Sequence, residues 1–566
     1  MQKESIRKAD DFIKNEKQYH LGFLPIEKSN PKTAFLDREF AESTAKGVQR
    51  LLEVDQDLVK LARQELTGDR FALLANAMYQ AMKTGHKIVF SGCGATGRLS
   101  ILLESIYRKF FLQNPEQSNS QSSPADKVFS IMTGGDYALI RSVEFFEDYQ
   151  QFGRKQVRDL NVTTDDVLVA ITGTGETSSI LGTVMEAAER EAQVFLIICV
   201  AREIPEKNLE RCRQAFSHQN VTVIDMPCGA MAISGSTRMQ STTLEMLIAG
   251  VALETALARY CGKEIEQPIA YAEEFAELLT TLGNEQNLRT IADYIEFEEE
   301  IYTNKGFVTY FADEFLLDVL TDTTERSPTF SLPPFRKITE TGLSQSCAFV
   351  KNPCFGTHDA WLHCLARKMR CLEWTHDDYI SLNAGSLIGN GLPMISGSEL
   401  TKFEIGFEKA QRREENEESV AVLVGFSDTL PVAEFTKATC GYNRKTMLLI
   451  GNDRVADGFI IRWQAPVSPL NLMQHLAVKL LLNIISTGTM VRMGRVTGNW
   501  MTYLDVSNKK LLDRGIRIIA DQCGLDYRNA AIELFTSIEE VKLSPSKNES
   551  QSPVQYTIKK LKGNTR

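Results

Sequence analysis

The stretch Lys87-Ile88-Val89-Phe90-Ser91-Gly92-Cys93-Gly94-Ala95-Thr96-Gly97-Arg98-Leu99 sets an apolar strand before a glycine-rich turn, and a helical pattern follows from Leu99 to Ile106. The first N–H groups of such a helix lack intrahelical partners and lie at the positive end of its dipole, so the turn suits an anion, a phosphate above all. Glycine lets the backbone approach a ligand closely, and Thr96 adds a hydroxyl. The spacing Gly92-x-Gly94-x-x-Gly97 also fits a dinucleotide fingerprint, but the segment that should carry its acidic residue, Gln117 to Asp126, reads as a polar loop. It is not a nucleotide P-loop, because Gly97 is followed by Arg98.

A second element repeats the design. Asp166 to Ile171 reads as a buried parallel strand, and Thr172-Gly173-Thr174-Gly175-Glu176-Thr177-Ser178-Ser179 then opens a helix from Ile180 to Arg190. Loops at the carboxyl ends of parallel strands are where open α/β sheets hold ligands. The first turn offers Gly94, Ala95, Thr96 and Gly97 to a phosphate, and the second offers Thr174, Gly175, Thr177 and Ser178. A third segment, Ser234-Gly235-Ser236-Thr237-Arg238, follows the strand Val221 to Met226 and again precedes a long helix.

These motifs resemble the sugar isomerase (SIS) domain family of phosphosugar-binding proteins. Gly94 to Leu99, Gly134-Gly135-Asp136 with Val143-Glu144, Ser234 to Arg238, and Asn483-Ile484-Ile485-Ser486-Thr487-Gly488 are similar to the branch holding N-acetylmuramic acid 6-phosphate etherase and glucokinase regulatory protein. The tract from Lys479 to Asp505 is similar to the end of the etherase almost throughout. With 566 residues the chain is too long for one core. The etherase-like tail is split between Ser234–Arg238 and Lys479–Gly488, which resembles the double-SIS arrangement of the regulatory protein. The expected fold is α/β, two tandem SIS domains, each a parallel sheet flanked by helices in a flavodoxin-like three-layer sandwich. The expected boundaries are an N-terminal arm over 1–45, a first domain over 46–270, a second over 271–505 and a C-terminal helical cap over 506–566.

The second half keeps the α/β alternation without the phosphate chemistry. Phe307 to Phe311 reads as a strand, but Ala312-Asp313-Glu314 follows it, and an acidic turn repels phosphate. Ser419 to Gly425 and Lys445 to Gly451 read as further strands, so one principal site is expected, in the first half. The resemblance adds Arg238, Lys479 on the helix Leu470 to Ile485 as a phosphosugar contact, and Glu325 as an acceptor for sugar hydroxyls. It also bears on catalysis. Removing lactate from an ether needs two carboxyl groups of differing pKa. One glutamate of the etherase falls on Glu144, but the other falls on Ile106, and Glu104 lies two helical positions away, about 200 degrees around the axis. The pair is therefore expected to be broken, with Glu144 the catalytic residue only if the chain is an enzyme and otherwise a partner for sugar hydroxyls.

Composition agrees. Lys+Arg 63 against Asp+Glu 73 gives a net charge of −10, with no basic footprint for nucleic acid. The start of the chain lacks an apolar signal region, and no run of about eighteen apolar residues stands out, so no membrane is expected and the expected compartment is the cytoplasm. Eleven scattered cysteines read as reduced core residues, and seven histidines show no metal spacing, so no cofactor or metal is expected. The first residues to about Glu39 show little helical period, and a helix is expected over Gly47 to Leu66. Leu511, Leu512, Ile516, Ile519 and Ala520 give an apolar helical face, Asn529 to Lys542 a further helix, and Ser544 to Ser552 a polar break. The run Arg412 to Glu418 reads as a solvated helix end. The resemblance then implies a phosphosugar-responsive regulator that binds fructose 6-phosphate or N-acetylmuramic acid 6-phosphate and controls a partner such as a sugar kinase. Its alternative is an amino-sugar phosphate lyase or a sugar phosphate isomerase.

Overall fold

The computed structural model describes residues 2–117, 124–263, 267–389, 391–428, 430–452, 458–543 and 552–563, with Gln2 and Glu144 described by their backbone alone. The polar break expected over Ser544 to Ser552 lies largely outside these residues.

Five strands form the first sheet: β1 (Ile88–Gly92), β2 (Val128–Met132), β3 (Val167–Ile171), β4 (Gln193–Ile198) and β5 (Val221–Asp225). Their order is β2-β1-β3-β4-β5, all parallel, with Ile88 level with Val128 on one side and Val167 on the other. The second sheet contains β6 (Val308–Phe311), β7 (Ala348–Lys351), β8 (Val420–Phe426), β9 (Arg444–Ile450) and β10 (Phe459–Ile461). Its order, β7-β6-β8-β9-β10, repeats the first in parallel strands, as expected of tandem SIS domains. Apolar runs buried on both faces, such as Val167 to Ile171, are what parallel strands covered by helices require.

Two helices join the halves. Gln240–Tyr260 and Leu472–Arg492 are buried along nearly their whole lengths. They approach closely at Gly250, where an added Cβ would meet Leu472 Cδ1 at 2.5 Å. Contrary to expectation, Gln240–Tyr260 has the length and composition of a bilayer-crossing helix, but its apolar surface is fully covered within the protein.

The seam is closed by a buried chain of charges. Arg238 of the first half donates to Asp322 Oδ1 (2.8 Å), Arg326 donates to Asp322 Oδ2 (3.0 Å) and to Glu298 Oε1 (2.7 Å), and Thr489 donates to Glu298 Oε2 (2.8 Å). Ser486 and Asn483 complete the shell around Asp322. These residues lie on the helices Glu285–Thr303, Leu316–Phe330 and Leu472–Arg492, so one first-half arginine is held by two second-half helices directly and by the third through Arg326.

The termini differ from the sequence reading. Gln2–Asn15 is a helix whose Ala9 and Phe12 pack on the helix Tyr527–Leu543, so the first residues belong with the C-terminal cap. The helix expected over Gly47 to Leu66 is two helices, Thr44–Asp55 and Asp57–Leu66, that meet at Gln56. Arg413 is no solvated helix end. Its guanidinium lies over the Phe307 ring at 4.9 Å and donates to the carbonyls of Val308, Ser346 and Ala348, bridging the edge of the second sheet.

Asp322→Ala would leave Arg238 as an uncompensated buried cation, while Arg326 keeps Glu298, a cost of about 3–5 kcal/mol. The expected outcome in a thermal melt is a fall in Tm of about 3–4 °C, with Asp322→Asn falling between it and the parent.

Candidate functional site

The strand order changes direction between β1 and β3, because the chain leaves β1 for β2 on one side and then crosses to β3 on the other. Such a switch point leaves a crevice at the carboxyl ends of the strands. Here the crevice is a pocket of about 120 Å³.

Its first-half wall is built from the turns read in the sequence. Gly94, at φ +57, opens the turn after β1, and the Thr96 hydroxyl closes it by donating to Cys93 O (2.9 Å) and accepting from Cys93 N (3.1 Å). Gly94, Ala95 and Thr96 face the pocket. Gly97 serves packing, since a Cβ there would meet Met132 Cγ at 2.7 Å and Gly92 O at 2.9 Å. After β3, Thr172, Thr174 and Thr177 line the opposite side. The Thr172 hydroxyl donates to Thr177 Oγ1 (3.1 Å), and Ser178 is the first residue of the helix Ser178–Glu189. Gly175, at φ +72, packs towards Ile198 and Phe216 instead of lining the pocket. Gly235 to Arg238 form a third edge.

The second half and the cap complete the enclosure. Glu325 lines the pocket and accepts a hydrogen bond from Arg98, whose guanidinium also donates to Leu139 O (3.1 Å) and Ala138 O (2.8 Å). Arg98 thereby ties the first turn, the segment before Glu144 and the second half together. The backbone of Glu144 opens the short turn Glu144–Phe146, and its side chain lies outside the described residues.

Three charged residues of the pocket had no place in the sequence reading. Glu147 receives Lys510 and Asn508, and Arg514 donates to Glu27 of the N-terminal arm (Nε to Oε2, 2.9 Å). Lys510 and Arg514 sit four apart on the helix Lys509–Cys523, with Arg517 one turn on, and that basic row was the available sign. Burial works against the Lys510 ammonium, but Glu147 and Glu176 hold it above its ordinary value. Against the same burial, Arg514 and Arg517 hold the Glu27 carboxyl well below the carboxylate range.

Lys479 is set back from the pocket. It borders a smaller adjoining cavity and donates to Arg238 O (3.1 Å), Met239 O (3.2 Å), Thr243 Oγ1 (2.6 Å) and Asn483 Oδ1 (3.0 Å). It therefore holds the Arg238 loop in place. Ile106 is core, and Glu104 is spent on arginines: it receives Arg108 (2.8 Å) and Ser130 (2.6 Å) and pairs with Arg367 and Arg370. Against burial, those arginines keep Glu104 below its usual value, so it is no proton donor. Among the described residues, no group of three His, Cys, Asp or Glu is placed to hold a metal.

Glu245 lies one turn along from Ser241, which touches the second turn at Gly173. Burial pushes its carboxyl up to about 8, partly offset by Lys479, whose own value burial lowers. The folded protein thus keeps a proton on Glu245 that the unfolded chain has already released, and its contribution to stability is lost as pH rises from the ordinary carboxylate range through about 8. Glu245→Gln keeps the neutral shape. Its Tm is expected to match the parent at pH 5 and to exceed it by a few degrees at pH 8.5, measured in parallel melts.

Comparison with known proteins places this geometry. Residues 71–188 match the glucokinase regulatory protein N-terminal SIS domain. N-acetylmuramic acid 6-phosphate etherase 1 of Bacillus licheniformis is 26% identical over 247 residues, 44% of this chain and 72% of that protein. The etherase of Salmonella agona is 27% identical over 43% of this chain and 72% of its own length. Tagatose-6-phosphate ketose/aldose isomerase from Escherichia coli superposes with a TM-score of 0.44 at 10% identity, covering 81% of this chain and 96% of that one. The matched model and the relatives support an assignment of the chain to the sugar isomerase (SIS) domain family.

Proposed function

We propose that the pocket binds a sugar 6-phosphate, of the fructose 6-phosphate or N-acetylmuramic acid 6-phosphate class, and that the chain is a phosphosugar-responsive regulator. The phosphate would lie between the Gly94–Gly97 turn and the Thr174–Ser178 turn, where hydroxyls and a helix N-terminus converge. The sugar would face Glu325, Glu144 and Arg238. The observation that carries the regulator reading is the pairing of the carboxylates. Glu325 is bound by Arg98, Glu147 by Lys510 and Glu104 by three arginines, while Ile106 fills the second catalytic position. Two halves and a cap share one pocket, so a ligand that binds the closed arrangement better than the open one shifts all three. A sugar kinase is the class of partner this reading calls for, and the cytoplasm is the compartment.

A second reading, an etherase-type lyase, is favoured by the relatives, which are named N-acetylmuramic acid 6-phosphate etherases. Glu144 would take the proton beside the carbonyl carbon, and Glu147 or Glu325 would have to supply the acid.

Melting the protein with each sugar phosphate, while assaying lactate, separates the two. The regulator reading expects a rise in Tm, worth about 2.7 kcal/mol at a hundredfold excess over Kd, without lactate and lost in Thr177→Ala. Lactate release abolished by Glu144→Gln would establish the lyase. No stabilisation by either sugar phosphate would reject both.

A further inference from the structure

Beside the seam lies a further cavity of about 450 Å³, within the range of small-molecule sites. Its base is the carboxyl end of β2 with the Gly135-Asp136 turn, and its walls are the helix Gln150–Asp159 and the second-half segment Met369–Trp374. The two halves meet tightly here. Gly135, at φ +68, bridges Cys371, and a Cβ on it would meet Arg370 O and Leu372 N at 3.1 Å.

The charge beside the cavity does not balance. Arg108, Arg367 and Arg370 converge on Glu104, and Arg367 also donates to both oxygens of Asp136, at 2.6 and 2.9 Å. The other acid that Arg108 meets, Asp126, has its side chain 72% exposed, so water screens most of its charge. Three guanidinium groups thus face two buried carboxylates. Arg370 carries the surplus: its Nη2 donates to Glu104, its Nη1 is buried without a partner among the described residues, and 29% of the side chain as a whole stays exposed. Burial, with Arg367 and Arg108 alongside, outweighs Glu104 and Asp136 and pulls the Arg370 guanidinium below its ordinary value. The acids at the rim, Asp159 and Glu373, are exposed and screened by water, Asp159 also pairing with Lys155 at 3.2 Å while Glu373 accepts from the Gly397 N–H at 2.9 Å. The rest of the lining is largely apolar, with Met132, Leu160, Leu372 and Trp374.

We propose that this cavity is a second small-molecule site, for an organic monoanion whose carboxylate or sulfonate pairs with Arg370 and whose apolar body lies against Leu160, Leu372 and Trp374. A sugar phosphate is the wrong ligand for it, because ring hydroxyls set against that wall would lose water without gaining partners.

8-Anilinonaphthalene-1-sulfonate, an apolar-bodied sulfonate that fluoresces when bound in apolar surroundings, is the probe. Titrated into the full chain, it is expected to give a saturable one-to-one enhancement that fructose 6-phosphate does not displace. Its affinity should fall at least tenfold in Leu160→Trp, which fills the cavity, and in Arg370→Met, which removes the surplus charge. Both variants are checked for an unchanged melt, and if Arg370→Met fails to fold, Leu160→Trp alone decides. Absence of saturable binding, binding unchanged in Leu160→Trp, or displacement by fructose 6-phosphate would each overturn the proposal.

Discussion

The pairing of Arg238 with Asp322 is the constraint on which the rest of the pocket depends. A guanidinium with its side chain 4% exposed cannot stand alone in the interior, and the carboxylate that compensates it comes from the other half of the chain. The Gly235–Arg238 edge of the pocket therefore takes its position only when the second half is docked. Lys479 reinforces this, because its ammonium is consumed by the carbonyls at the end of the same edge. The first half supplies most of the pocket wall, and the second half supplies the conditions under which one edge of that wall is stable.

Much of this was legible in the sequence. The strands at β1, β3, β5, β6, β8 and β9 announce themselves as apolar runs, and the turns after β1 and β3 as glycine and hydroxyl clusters, because these features are local. The displacement of Glu104 from Ile106 could be judged from helical geometry alone, and the carboxylate does point elsewhere, into a knot of arginines. Short strands such as β7 and β10 carry too little apolar sequence to be read.

What escaped the sequence depends on partners far along the chain. Ala9 and Phe12 are too few to mark Gln2–Asn15 as a core-packing helix until Tyr527–Leu543 is beside them. Arg413 reads as one charge in a polar run, and only the rings of Phe307 and Phe349 with three strand-edge carbonyls make it a core residue. Lys510 and Arg514 stand among the apolar positions of their helix with nothing local but their basic spacing to mark them. They are pocket residues because Glu147 and Glu27, hundreds of positions earlier, meet them there.

The two sheets share one strand order, yet the turns after their first strands do opposite work. After β1 the turn is glycine-rich and open to the pocket. After β6 it is Ala312-Asp313-Glu314, in which Asp313 accepts from Asn352 (2.8 Å) and pairs with His363 (3.1 Å), while Glu314 O receives Lys109 of the first half at 3.3 Å. A carboxylate turned inward to hold its own domain and a carbonyl turned outward to hold the other leave no N–H cradle for an anion, and the negative charge repels one. The acidic side chain also adds a contact across the seam, since Lys109 reaches Glu314 Oε1 at 3.4 Å. With Arg238 anchored to Asp322 and Lys109 to Glu314, the two halves are tied from both sides of the seam.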